Sequence, residues 1–189
     1  MKKRKIRSLS VSEIGMGCMG FSHGYGQIPA AGYAEEAIRE AFDYGCNFFD
    51  TAEVYGKELY YPGHNEEIVG RAVKGFRNEV VIATKLFIKP EMVEDCGSVD
   101  AVVRRHLEHS LKNLQTSYVD LYYLHRINIA VDYLEVAHAM GRLIHEGLIR
   151  EWGISAVDKV QLEMVNAITP VGAVQNIYSM VERTSEKEV

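Results

Sequence analysis

Asn47-Phe48-Phe49-Asp50-Thr51-Ala52-Glu53-Val54-Tyr55-Gly56 decides the reading of this chain. A β-rich run, Asn47–Thr51, ends on an acid, and a loop carrying a tyrosine follows at once. The pattern recurs. Val80–Lys85 (VVIATK) ends on Lys85, and Tyr118–Leu124 (YVDLYYL) runs into His125. These three β-rich runs put polar chemistry at their C-terminal ends, and Ile149–Ser155 (IREWGIS) and Val171–Tyr178 (VGAVQNIY) are two further β-rich runs.

Between the runs lie apolar residues at helical spacing. Ala37, Ile38, Ala41 and Phe42 make one stripe, and Ile68, Val69, Ala72 and Val73 another. Val102, Val103, Leu107, Leu111 and Leu114 make a third. Two more begin at Leu134 and Val160. Gly45 and Gly147 stand where a helix would end, and Ser98 where one would be capped. Strand followed by helix, repeatedly, means parallel strands with helical crossovers, and near-continuous apolar strands mean a sheet covered on both faces. Lys5–Gly17 reads as a short hairpin entering a first strand at Ser12–Gly17, which brings the number of βα strands to six. Ser185-Glu186-Lys187-Glu188-Val189 reads as the N-cap and first turn of another helix.

Six strands suffice for an open doubly wound sheet, whereas a (β/α)8 barrel needs eight and typically about 250 residues. Periodicity leaves both open. The polar residues decide it: Asp50 and Tyr55, then Lys85, then His125, follow three successive strands at the end where barrels build their active sites. The expected fold is therefore a TIM (β/α)8 barrel truncated after the sixth strand, with residues 1–189 as a single partial domain.

Composition narrows the function. With Lys plus Arg at 21 and Asp plus Glu at 26, the net charge of −5 argues against nucleic acid as a partner. No stretch approaches the roughly 18 apolar residues of a membrane helix, and no apolar segment follows the basic start. Three cysteines at unrelated spacings, Cys18, Cys46 and Cys96, suit a reducing, cytoplasmic setting. Gly15-Met16-Gly17-Cys18-Met19-Gly20 matches a dinucleotide fingerprint in letters only, because Phe21–Gly32, with Gly24, Gly26, Pro29 and Gly32, intervenes before any helix. It reads instead as a tight turn at the mouth of a strand. His106 and His109 share a helix face but lack a second ligand pair, so they, like His138 and His145, read as a solvated face, and no metal is expected. The aromatic-rich Tyr55–Pro62 segment suits a substrate pocket and a rim-packed loop equally.

Asp50, Tyr55, Lys85 and His125 suit one kind of chemistry. A tyrosine hydroxyl titrates near 10, too high for easy proton traffic at neutrality. A neighbouring ammonium is expected to lower that value, while a carboxylate keeps the ammonium charged. A histidine donating to the same oxygen site polarises a carbonyl. The group is a poised general acid without a nucleophile or metal, suited to a reaction whose other half is hydride transfer.

Phe48–Gly56, His64-Asn65-Glu66-Glu67-Ile68-Val69-Gly70, Ala83-Thr84-Lys85, Val119–His125 and Ile149–Ser155 together resemble the signatures of the aldo-keto reductase family across almost the whole chain. The resemblance implies an NAD(P)H-dependent reductase of aldehydes and ketones. It makes Tyr55 the proton donor, Lys85 and Asp50 its tuning pair, and His125 the residue that orients the carbonyl. It also implies that Ser155 and Gln175, with Asp50, border the nicotinamide, and that the backbone at Cys18 and Met19 runs under the cofactor. NADP(H) is the cofactor the family usually takes, with NAD(H) as the alternative. Ala156 stands where many members have asparagine, and a seventh and eighth strand do not follow. The competing function is a non-catalytic cofactor-binding subunit, like a channel β-subunit, on the same fold; retention of His125 weighs against it. The 189-residue piece alone is expected to be inactive and poorly soluble, because its first and last strands would be open edges.

Overall fold

In a computed structural model, which describes residues 1–22, 27–30 and 32–188, the chain alternates strand and helix. Gly24, Gly26 and Val189, which figured in the sequence reading, lie outside the described residues. β1 (Lys3–Ile6) and β2 (Leu9–Ser12) form an antiparallel hairpin. Then come β3 (Met16–Gly17), α1 (Tyr33–Asp43), β4 (Phe48–Asp50), α2 (His64–Val73), β5 (Val81–Leu86), α3 (Pro90–Cys96) and α4 (Val99–Leu114). β6 (Val119–Leu124), α5 (Tyr133–His145), β7 (Ile149–Ser155), α6 (Lys159–Ile168), β8 (Ala173–Gln175) and α7 (Ser185–Glu188) complete it. The parallel sheet has the order β3-β4-β5-β6-β7-β8, each strand beside its successor.

This sheet is curled. β4 and β8 are four strand spacings apart, about 19 Å along a flat sheet. Yet Gln175 Nε2 on β8 donates to Asp50 Oδ2 on β4 at 3.0 Å. Only an arc that turns its inner face on itself brings them together, so the six strands form much of a barrel wall.

The two-residue period of a strand sorts side chains between the faces of that wall. Phe49, Ile82, Leu86, Tyr122, Leu124, Trp152 and Ile154 point outward and share one core with the helices. Val81, Ala83, Leu121 and Tyr123 point inward beside Phe48 and Ala173. β5 and β6 are buried at every position, as strands covered on both faces must be. Leu9 and Val11 of the hairpin join the inner cluster and cap the N-terminal end of the wall. Ser8 Oγ donates to Glu151 Oε1 at 2.6 Å, and Arg7 Nε lies 3.3 Å from Glu151 Oε2, anchoring that cap. The inner space is tight. A Cβ on Gly153 would sit 2.4 Å from Tyr123 Cε1, so the tyrosine ring occupies the interior because position 153 has no side chain.

Helix ends follow the sequence signals. Gly45 and Gly147 have φ of 89° and 74° just past α1 and α5, and Ser98 accepts from Ala101 N–H at 3.1 Å. Several boundaries differ from expectation, most by a single residue, as at β4, which is one residue shorter at each end. The first barrel strand shrinks to Met16–Gly17, because Ser12 belongs to the hairpin and turns the chain by bonding Ile14 O at 2.7 Å. The last shrinks to Ala173–Gln175: Val171 N–H is taken by Asn166 Oδ1 at 2.9 Å, and the Asn176 amide binds both backbone groups of Val157. Ser185 lies inside the final short helix rather than capping it. One helix, α3, had no expectation attached to it; with Pro90 in its first turn, it is too short to show an apolar stripe. Among the described residues no helix is long and apolar enough to cross a membrane.

Candidate active site

Inward parity at the C-terminal strand ends selects the site. Asp50 closes β4, Lys85 falls one residue before the end of β5, Ser155 closes β7 and Gln175 closes β8. His125 lies just past β6, held by its N–H on Leu86 O at 2.8 Å. Lys85 is 1% exposed, and its ammonium pairs with Asp50 Oδ1 and donates to Thr51 O at 2.7 Å. Asp50 Oδ2 accepts from Gln175. Tyr55, on the loop after β4, meets His125 edge-on with ring centroids 5.9 Å apart, and Lys85 Nζ lies 5.2 Å from the Tyr55 ring centroid. The four residues expected to act together are thus side by side.

The electrostatics depart from the sequence reading at one point. Burial, and then the Asp50 carboxylate, push the Tyr55 hydroxyl up to about 12 rather than down. The Arg126 cation opposes this rise without reversing it. Burial lowers Lys85 below its ordinary value, and Asp50 opposes that drop. His125 is lowered to about 4, first by burial, then by the Lys85 and Arg126 cations. Near neutrality the site therefore holds a protonated phenol and an uncharged imidazole beside a buried ion pair.

The neighbouring loop is built around Asn65. Its Nδ2 donates to Cys18 O and to Ser22 Oγ, both at 2.9 Å, and its Oδ1 accepts from Thr51 Oγ1 at 2.6 Å. Cys18 N–H donates to Asp50 O at 2.8 Å, and Met19 opens a 3-10 turn. Burial raises the fully buried Cys18 thiol far above its usual value, so it is not a nucleophile. The backbone at Cys18 is tied to the end of β4 and to α2. Ser155 and Gln175 are register partners on β7 and β8.

These groups fit a nicotinamide carboxamide, which needs both an acceptor and a donor. Ser155 Oγ can serve as either. With Gln175 Nε2 given to Asp50, the Gln175 carbonyl oxygen is the group it presents. Gly17, paired with Asp50 in register, leaves open space: a Cβ there would meet nothing within 4 Å.

Residues that the sequence reading passed over or placed on a solvated face pack on the outside of the wall beside the site. His106 is not a solvated residue: its Nδ1 donates to Glu53 Oε2 at 2.6 Å, while His109, His138 and His145 are exposed. Glu66 is fully buried, accepting from Thr84 Oγ1 at 2.6 Å and Asn113 Nδ2 at 3.0 Å. Its buried position raises its carboxyl. An acid inside a helix stripe, at Glu66, was the only sequence hint. Tyr60 stacks on His64 with centroids 4.0 Å apart, and Tyr61 OH donates to Glu67 at 2.8 Å, so both tyrosines pack on the barrel rim against α2. Among the described residues no group of three or more His, Cys, Asp or Glu side chains could hold a metal.

The curled parallel α/β wall thus carries an acid–lysine–tyrosine–histidine group at its strand ends, the arrangement of an α/β barrel's functional rim. The sequence model of the aldo/keto reductase family matches residues 13–189, and the chain belongs to that family. It is 35% identical to a probable aldo-keto reductase 1 of Glycine max over 99% of this chain and 54% of the relative. It is also 35% identical to the aldo-keto reductase yakc of Schizosaccharomyces pombe, whose name specifies NADP(+), over 93% of this chain and 52% of that one. A crystal structure of an aldo-keto reductase from Klebsiella pneumoniae in complex with NADPH superposes with a TM-score of 0.79 at 31% identity, covering 99% of this chain and 62% of that one. The chain spans about half the length of these curated relatives.

Proposed function

We propose that residues 1–189, as one partial barrel domain, carry the proton-transfer half of an NADP(H)-dependent reductase of aldehydes and ketones. The observation that carries this reading is the convergence of Tyr55 and His125 on the Lys85–Asp50 pair at one end of the wall. The NADPH complex of the Klebsiella relative and the NADP(+) of the Schizosaccharomyces relative support the choice of cofactor. When bound, a reduced nicotinamide supplies hydride to the carbonyl carbon. The chain's own residues do the rest.

Tyr55 donates its proton to the carbonyl oxygen as negative charge develops there. With its hydroxyl at about 12, Tyr55 keeps that proton throughout the neutral range, and a developing alkoxide is still much the stronger base. Lys85 stabilises the phenolate left behind, and Asp50 holds the ammonium charged and aimed. His125, uncharged near neutrality, donates an N–H to the same oxygen and orients the carbonyl. Solvent then returns the proton to Tyr55. Ser155, Gln175 and the backbone at Cys18 and Met19 hold the nicotinamide end of the cofactor.

Tyr55→Phe tests this in the active protein. It should lower kcat for a simple aldehyde by about 10²–10⁴-fold, the usual contribution of a positioned acid. Full activity in Tyr55→Phe would overturn the assignment. Tight cofactor binding by the unmutated protein, with no turnover across a broad aldehyde panel, would favour the non-catalytic reading instead.

A further inference from the structure

We propose that Glu53 and His106 form a positioning pair that aims Tyr55; the inference rests on the reading of Tyr55 as proton donor. It starts from the way β4 leaves the sheet. Thr51 N–H donates to Ala83 O at 2.8 Å and Glu53 N–H to Lys85 O at 3.2 Å, so the chain continues the parallel ladder beyond the end of β4. In that ladder the next bond would run from Phe87 N–H to Glu53 O. Glu53 O is already taken, by Gly63 N–H at 2.7 Å. Phe87 N–H donates instead to the Glu53 carboxylate, Oε1, at 2.9 Å.

The side chain thus substitutes for its own carbonyl at the point where the backbone turns out of the sheet. That turn is the one that carries Tyr55, whose N–H closes it on Ala52 O at 3.1 Å. The second carboxylate oxygen is held by His106 from α4, on the outside of the wall. With one oxygen bound to the loop after β5 and the other to a helix, the Glu53 side chain has little freedom to rotate. Tyr55, two residues on, inherits that fixed direction. An outer helix is in this way keyed to the direction of the proposed acid. Neither residue touches the reacting atoms, so the pair acts through Tyr55.

A cavity of about 510 Å³ borders both Glu53 and His106, so substitutions of His106 have room to fit. His106→Leu removes the donor to Oε2, whereas His106→Asn restores an amide N–H near the place of Nδ1. His106→Leu should lower kcat by about 10–100-fold, the scale of a misplacement of roughly 1 Å, with the KM for cofactor unchanged. His106→Asn should recover most of that loss. In a Tyr55→Phe background, His106→Leu should cost nothing further, because the group it aims is gone.

A readout independent of turnover completes the test. With tyrosine labelled at 13Cζ, the Tyr55 resonance should shift or broaden in His106→Leu and return in His106→Asn. Unchanged kcat and an unchanged Tyr55 resonance in His106→Leu would overturn the pairing. So would an equal loss of activity from His106→Leu with and without the Tyr55→Phe substitution. Should Tyr55→Phe itself prove fully active, the proposed function fails, while the resonance still decides whether the pair positions the ring.

Discussion

Removing the two halves of the Asp50–Lys85 pair should have unequal effects on stability, and in an order that charge alone does not suggest. Lys85 is 1% exposed and Asp50 19%, so water can reach the carboxylate but not the ammonium. Asp50→Asn leaves one carbonyl oxygen for two donors, Lys85 Nζ and Gln175 Nε2, and turns an N–H2 group toward one of them. Deleting one partner of a buried pair costs about 3–5 kcal/mol, and the partial exposure of Asp50 puts this case near the lower limit, about 3 kcal/mol. Lys85→Met instead removes the charge that water cannot reach and fills its volume. Asp50 keeps Gln175 and solvent, and the main loss is the donor to Thr51 O, about 1 kcal/mol. The expected gap is therefore about 2 kcal/mol, with Asp50→Asn the weaker protein. Urea unfolding at equal slope reads it directly. A pH series adds a sign. Without Asp50, burial holds the folded Lys85 further below its unfolded value of about 10.4, so the unfolded chain binds the extra proton and Asp50→Asn should regain stability as pH rises toward 10. If Asp50→Asn lost no more stability than Lys85→Met, the account of this pair as a buried cation in need of a carboxylate would be wrong.

Two further outcomes can be checked. Ala156 has a φ of 53°, a left-handed conformation that costs an L side chain about 1–2 kcal/mol, so Ala156→Gly should stabilise the fold by about 1 kcal/mol in thermal or urea unfolding. His125, lowered to about 4, should stay uncharged by NMR down to that pH; because its unfolded value is near 6.5, the protein should lose stability relative to His125→Gln as pH falls from 6.5 to 4, and an ordinary titration near 6.5 would contradict the burial argument.

The parts of the structure legible in the sequence are those set by a period of two or of 3.6. The strands at β5, β6 and β7 and the stripes of α1, α2, α4, α5 and α6 fall where the patterns place them. Asp50, Lys85 and His125 were legible because strand ends are a sequence property and determine which rim a side chain reaches, whereas Ser155 and Gln175 were legible only through the family resemblance. Glu53, Asn65, Glu66 and His106 were not. Their roles depend on how a loop and two helices meet the outer face, and nothing in the spacing of His106 relates it to Glu53, 53 positions away. The direction of the Tyr55 shift was missed for a related reason. The presence of a lysine is legible, but not that the tyrosine hydroxyl is half-buried and faces the Asp50 carboxylate.

The bond from Gln175 to Asp50 joins residues 125 positions apart, whereas each strand of the sheet pairs with its immediate successor. The ladder can grow by short steps, but this bond forms only once every strand between them is in place and the wall has bent. Secondary structure and most of the core can therefore mature early in refolding. The end of the wall where Asp50 meets Gln175 belongs to the final event, so a signal that depends on that bond would be the latest to return after denaturation.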